Sequence, residues 1–210
     1  MIEKISLKND PGQLNRDLER YRKLATDVGA SDAAIVSANQ IVVDERVHMK
    51  CRFPLCGEYG QCMNCPPNTG SIEELRRRIG LYEHAIVLKL DVPSERIAGA
   101  AARGEGVEDL RKLCKIISDV ESAAYYDGYY FATGFASASC HFIWCQGVEC
   151  QALAGKGCRQ RAKVYTSMEA AGIDVFNLVA SLGWNIYPIG MSATPDMFPS
   201  GSRVGMVLVQ

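Results

Sequence analysis

The chain has 210 residues, 48% of them hydrophobic, and 23 Lys plus Arg offset 24 Asp plus Glu to leave a formal net charge of −1. That is enough apolar material for an ordinary core that does not depend on metal for its bulk. The even charge balance, with no basic stripe and interleaved aromatics, argues against a nucleic-acid surface. No run reaches the roughly 18 apolar residues of a membrane helix.

The first ten residues, MIEKISLKND, hold no apolar run and no small-residue cleavage site, so the expectation is a cytoplasmic chain without a signal peptide or membrane segment. Leu14, Leu18, Tyr21, Leu24, Ala25 and Val28 recur at helical spacing, and Gly29 supplies a stop. Ala33–Ser37 and Ile41–Val43 read as short strands around the turn residues Asn39 and Gln40. A cysteine-rich loop over 51–67 follows. Ser71-Ile-Glu-Glu74 reads as a reciprocal capping box opening a short helix that Gly80 ends. Ala85–Leu90 is an apolar run of buried-strand type. Val107, Leu110, Leu113, Cys114, Ile117, Val120 and Ala124 form a helical stripe stopped at Asp127-Gly128, and Tyr129–Phe135 reads as a strand. A second cysteine-rich loop spans 140–158. Thr166-Ser-Met-Glu169 reads as another capping box, opening a helix toward Leu182 with a break near Gly172, and Val204–Val209 suits a last strand. This order predicts the mixed α/β class: one compact domain over 1–210, with a small mixed sheet flanked by helices and two cysteine loops at its periphery.

Nine cysteines in a reducing compartment point to metal binding or catalysis rather than disulfides. They fall into two quartets, Cys51, Cys56, Cys62 and Cys65, then Cys140, Cys145, Cys150 and Cys158. Cys114 stands alone on an apolar helix stripe and reads as a small core residue. Four thiolates are what a tetrahedral metal or a cubane cluster takes. Structural zinc sites favour two close Cys-x2-Cys knuckles, whereas only Cys62 and Cys65 are that close here. The remaining gaps within the quartets are four, five, four, four and seven residues, and Cys65 exits into Pro66-Pro67, closer to iron–sulfur usage. Zinc stays as the alternative cofactor. Phe53, Leu55 and Met63, and Phe142, Ile143 and Trp144, can shield a cluster from water. Arg159, Arg161 and Lys163 can offset its charge or form a solvated face. His48, His84 and His141 read as hydrogen-bonding or surface histidines rather than ligands. No P-loop, dinucleotide fingerprint or Gly-x-Ser-x-Gly elbow is present.

The elements Cys56-Gly-Glu-Tyr-Gly60, Cys65-Pro-Pro67 and Ser167-Met-Glu-Ala-Ala-Gly-Ile-Asp-Val175 resemble a family of small cysteine-rich bacterial and archaeal proteins. Its members are described only as predicted metal-binding proteins with a domain of unknown function. The resemblance runs from about the first strand to the carboxyl terminus and implies metal binding in a protein of anaerobes. The family's first cysteine group has no regular counterpart of Cys62, and its second group is more tightly spaced than here.

Three functions follow as expectations. The first is an electron-transfer protein holding two [4Fe–4S] clusters, one per quartet, and serving a partner redox enzyme. The second is an enzyme or accessory factor in which Cys62 does not ligate and one iron stays open. The third is a zinc-stabilised interaction module.

Overall fold

The computed structural model describes residues 10–210; residues 1–9, on which most of the signal-peptide reading rests, lie outside them. The first apolar stripe forms helix α1 (Pro11–Asp27), capped by the Asp10 carboxylate, which accepts from Gly12 N–H at 3.0 Å. Strand β1 (Asp32–Ser37) follows, and helix α2 (Glu45–Arg52) leads into the first cysteine loop. Helix α3 (Ile72–Ile79), strand β2 (His84–Val92) and the long helix α4 (Glu105–Tyr126) come next. Then come β3 (Thr133–Ala136), the short α5 (Cys140–Trp144), β4 (Thr166–Ser167), α6 (Val175–Ser181) and β5 (Gly201–Val209). Among the described residues, no helix is long and apolar enough to cross a membrane.

The five strands form one sheet in the order β1-β2-β5-β3-β4, antiparallel except for the β3–β4 pair. Its centre, β2 and β5, is buried on both faces, which explains their nearly continuous apolar sequences. Alternation sends Ile86, Leu88, Leu90, Val207 and Val209 toward α1 and α4, and Ala85, Val87, Val204, Met206 and Leu208 toward α3 and α6. Each Val, Leu, Ile or Met among them, fully buried, contributes about 1.5–3 kcal/mol. The molecule is therefore a mixed α/β domain with helices on both faces of one small mixed sheet.

Four segments differ from the sequence expectation. Ile41–Val43 forms no strand, because only Val43 finds a partner, in a single bridge to Ile173, and residues Ala38–Gln40 wind into a 3-10 turn. Tyr129–Ala132 is a turn rather than the start of a strand. The Tyr129 ring instead reaches back to α1, meeting Tyr21 edge-on at 6.1 Å and donating to Asp17 at 3.0 Å. Ser71 caps α3 by accepting from Glu74 N–H at 3.2 Å, but the Glu74 carboxylate pairs with Arg78 instead of completing the box. Thr166 opens no helix: Thr166–Ser167 is strand β4, paired with β3. Ser167 caps a 3-10 turn over Glu169–Ala171 by accepting from Ala170 N–H at 3.0 Å. Gly172, at φ +74°, ends that turn, and α6 starts only after Asp174, which accepts from Asn177 N–H.

Candidate metal centre

Both cysteine loops gather at the sheet end where β3 and β4 finish and β5 begins. Cys51 lies on the last turn of α2, whose start is fixed by the Asp44 carboxylate accepting from Arg46 N–H at 2.8 Å. The chain then runs through successive turns, with Cys56 N–H donating to the Cys51 carbonyl and Cys65 N–H to that of Cys62. Three residues after β3, Ser139 caps α5 by accepting from His141 N–H at 3.0 Å and sets Cys140 at the first helical position.

These elements regroup the cysteines. Cys62 and Cys65 do not stay with Cys51 and Cys56; they pack with Cys140 in one buried core, at 1%, 7% and 8% exposure. Cys150, Trp144 and Val164 close over that core. Cys145 is half-buried, within electrostatic reach of Cys158, Cys150 and Cys62. Cys51 and the exposed Cys56 stand apart, in the wall of an open cavity. Cys114 is 3% exposed inside the α1–α4 core, and burial pushes its thiol up to about 11, so it stays protonated as a packing residue.

Hydrogen-bonding groups surround the buried sulfurs. Asn64 Nδ2 donates toward Cys140 Sγ at 3.6 Å, and Ser139 Oγ lies 3.7 Å from Cys62 Sγ. Ser139 Oγ donates to the Glu58 carboxylate at 2.9 Å, and His141 Nδ1 lies 3.0 Å from the same oxygen. His141 Nε2 faces the Val148 carbonyl at 3.0 Å; a carbonyl only accepts, so Nε2 carries a proton. With its one hydrogen committed to Glu58, the Ser139 hydroxyl can only accept from Cys62, and only while that thiol keeps its proton. Ionising Cys62 would set its thiolate in competition with Glu58 for the Ser139 hydrogen. Hydrogen bonds from Cys140 and Cys65 hold the Cys62 thiol well below its ordinary range, and the same contact with Cys62 pushes Cys140 and Cys65 up. Cys62 is therefore the member of the trio that gives up its proton most readily.

Glu58, Ser139, Asn64 and His141 are the supporting residues that sequence reasoning left out or placed only generally. Glu58 had one signal, its place inside Cys56-Gly-Glu-Tyr-Gly60. Replacing it by Gln is expected to lower metal retention about tenfold, as outer hydrogen-bond partners of metal ligands generally do. Competition against a chelator measures this; retention equal to the unaltered protein would remove Glu58 from the role.

The cavity beside Cys51 and Cys56 has a volume of about 610 Å³ and is also walled by Lys50, Glu169, Tyr187 and Arg203. Glu169 is an exposed residue of the cavity wall, and desolvation by the protein around it pushes its carboxyl up. Burial likewise raises the Cys51 thiol, helped by the neighbouring Cys56 and Glu169. The Ser167-Met-Glu169 motif therefore serves three ends: a cap at Ser167, a fully buried Met168 and a carboxyl in the cavity.

Among the described residues, no three His, Cys, Asp or Glu side chains converge on a point that could hold a single metal ion. The buried donor set is nonetheless of one chemical kind: sulfur, hydrogen-bonded by its surroundings and screened by Trp144 and Val164, with histidine and carboxylate held one layer out. That set fits a thiolate-bound metal or cluster, Cys62, Cys65, Cys140 and Cys150 being the residues that would hold it. Fold and site together define a thiol-rich mixed α/β domain. The chain belongs to the family described as predicted metal-binding protein (DUF2284), whose profile matches residues 34–209. Neither a curated protein nor a solved structure matches it significantly.

Proposed function

We propose that this protein is an iron–sulfur electron carrier in which Cys62, Cys65, Cys140 and Cys150 hold a [4Fe–4S] cluster between the two cysteine loops. The observation that carries this reading is the buried, sulfur-only core made by Cys62 and Cys65 from one loop and Cys140 from the other, with Cys150 against it. When bound, such a cluster supplies one-electron chemistry. The chain's own part is to present thiolates, to hydrogen-bond them through Asn64 and Ser139, and to keep water away with Trp144 and Val164. Four-cysteine ligation leaves no open iron position, which suits outer-sphere transfer to a partner redox protein rather than chemistry at the metal.

The division of the remaining cysteines favours a second reading for the second cluster. Cys51 and Cys56 line the cavity, while Cys145 lies within electrostatic reach of Cys158 and Cys150 and is not part of that wall. A second centre held at Cys51 and Cys56 would lack full thiolate ligation on its cavity side, the arrangement of an enzyme or accessory factor with an accessible metal.

Metal and sulfide analysis of anaerobically purified protein tests the proposal. Iron and acid-labile sulfide are expected in equal amounts, about four of each per chain for the shared centre and about eight if the second site is filled. A colourless protein holding zinc and neither iron nor sulfide would overturn it in favour of a zinc-stabilised module.

A further inference from the structure

The cavity at the end of the sheet has a size, a wall and an unspent charge that the metal centre does not account for. Its volume of about 610 Å³ lies inside the range of small-molecule sites, roughly 300–1,000 Å³. Val47, Ile173, Val175, Ile186, Ile189 and Val204 make most of the wall apolar. Six charged residues also border it, Asp44, Arg46, Lys50, Glu169, Asp174 and Arg203, and the protein leaves part of their capacity unused.

Of the cations, Arg46 is paired with Asp44 at 2.6 Å. Among the described residues, Lys50 and Arg203 form no ion pair. Arg203 is only partly exposed; its guanidinium makes one side-chain hydrogen bond, from Nη2 to the Arg96 carbonyl at 3.1 Å, and its Nε is buried without an acceptor. The Nε is closed off from the cavity, but the rest of the guanidinium borders it with N–H groups to spare, and a charged donor left short of partners is costly, so that capacity calls for an acceptor. The acids do not meet that need. Asp44 is taken by Arg46 and Asp174 by the start of α6; Asp109 on α4 pairs with Arg96 at 3.0 Å, and although Asp109 and Glu169 both act on Arg203 by charge, neither forms an ion pair with it. The cavity is therefore apolar over most of its wall and positive at Arg203 and Lys50. A planar guanidinium favours a planar, two-oxygen anion.

We propose that this cavity is a binding site for an organic carboxylate with a flat apolar body, its carboxylate held by Arg203 with Lys50 at the mouth and its body against Ile173, Ile186 and Val204. The site stands on these residues alone and does not depend on which metal the cysteines hold. Cys51 and Cys56 share its wall, so a bound carboxylate would lie beside any metal carried there.

Calorimetric titration of the anaerobically purified protein with three matched probes tests this: 2-naphthoate, its neutral isostere 2-naphthamide, and the cation 2-naphthylmethylamine. The expected result is that 2-naphthoate binds, the amide binds about tenfold more weakly or worse, and the amine does not bind, as for loss of a charged hydrogen bond. Arg203→Gln is expected to weaken 2-naphthoate binding about tenfold or more while leaving amide binding unchanged. Lys50→Gln alters an exposed side chain that the fold does not use, and it should weaken naphthoate binding about threefold even if Arg203→Gln proves unstable. Absence of naphthoate binding, equal binding of all three probes, or naphthoate binding untouched by Lys50→Gln and by a folded Arg203→Gln would overturn the proposal. Iron and sulfide measured on the same samples report separately on the metal reading, so either can fail without the other.

Discussion

Replacing Cys62 by Ser is expected to empty the buried centre, removing about four iron and four sulfide per chain and the absorbance that goes with them. Cys62 is 1% exposed and sits between Cys65 and Cys140, with Ser139 beside its sulfur. A serine hydroxyl is a hard, protonated donor at neutral pH and a poor substitute for thiolate toward iron–sulfur centres. The replacement also removes the sulfur against which Cys65 and Cys140 pack. Cys51→Ser should behave differently: Cys51 lies in the cavity wall, away from the trio, so the buried centre should keep its iron. Anaerobic iron and sulfide analysis of the two variants distinguishes the cases. Full iron content in Cys62→Ser would mean that Cys62 is no ligand and that the first loop holds at most three.

The largest effect expected on folding is that of Ile117→Ala. Ile117 is fully buried on α4 and lies over a flat patch that two glycines leave in the sheet. A Cβ built at Gly134 would stand 2.5 Å from Ile117 Cγ2, and one at Gly205 would stand 2.6 Å from Ile117 Cδ1. The isoleucine thus fills space that only glycine backbone can leave free, and strand backbone cannot collapse into the gap. Its removal should cost about 4 kcal/mol, near the upper part of the range for Ile→Ala. In a domain of this size that lowers Tm by about 10 °C, measurable by thermal or denaturant unfolding of metal-loaded protein. A loss under about 1 kcal/mol would contradict the packing described here.

The long periodic elements were readable because packing obeys the same spacing. Leu18, Tyr21 and Ala25 mark the buried face of α1, Leu110 to Ala124 that of α4, and the apolar runs of β2 and β5 the sheet centre. Short segments were not, because their state depends on neighbours distant in sequence. Ile41–Val43 alternates like a strand but has only Ile173 to pair with. Thr166–Ser167 carries helix-start residues yet is claimed by β3. The same holds for the site. Sequence spacing separates the cysteines into an early and a late quartet, and eight of nine remain the candidates. Which thiols meet is decided by the chain path: β3 and α5 carry Cys140 to the turn that holds Cys62 and Cys65, while α2 leaves Cys51 at the cavity. No local pattern encodes that exchange. Arg203 was hidden for a similar reason, lying in an apolar strand whose end happens to border the cavity.

The central claim, that one metal centre is shared between the two loops, is tested most directly by electron paramagnetic resonance of the reduced protein carrying Cys65→Ser or Cys140→Ser. These residues are 75 positions apart and belong to different quartets. A shared centre predicts that both substitutions abolish or shift the same signal and leave any other signal intact. Loss of two different signals, one per substitution, would contradict it and restore one separate cluster to each loop.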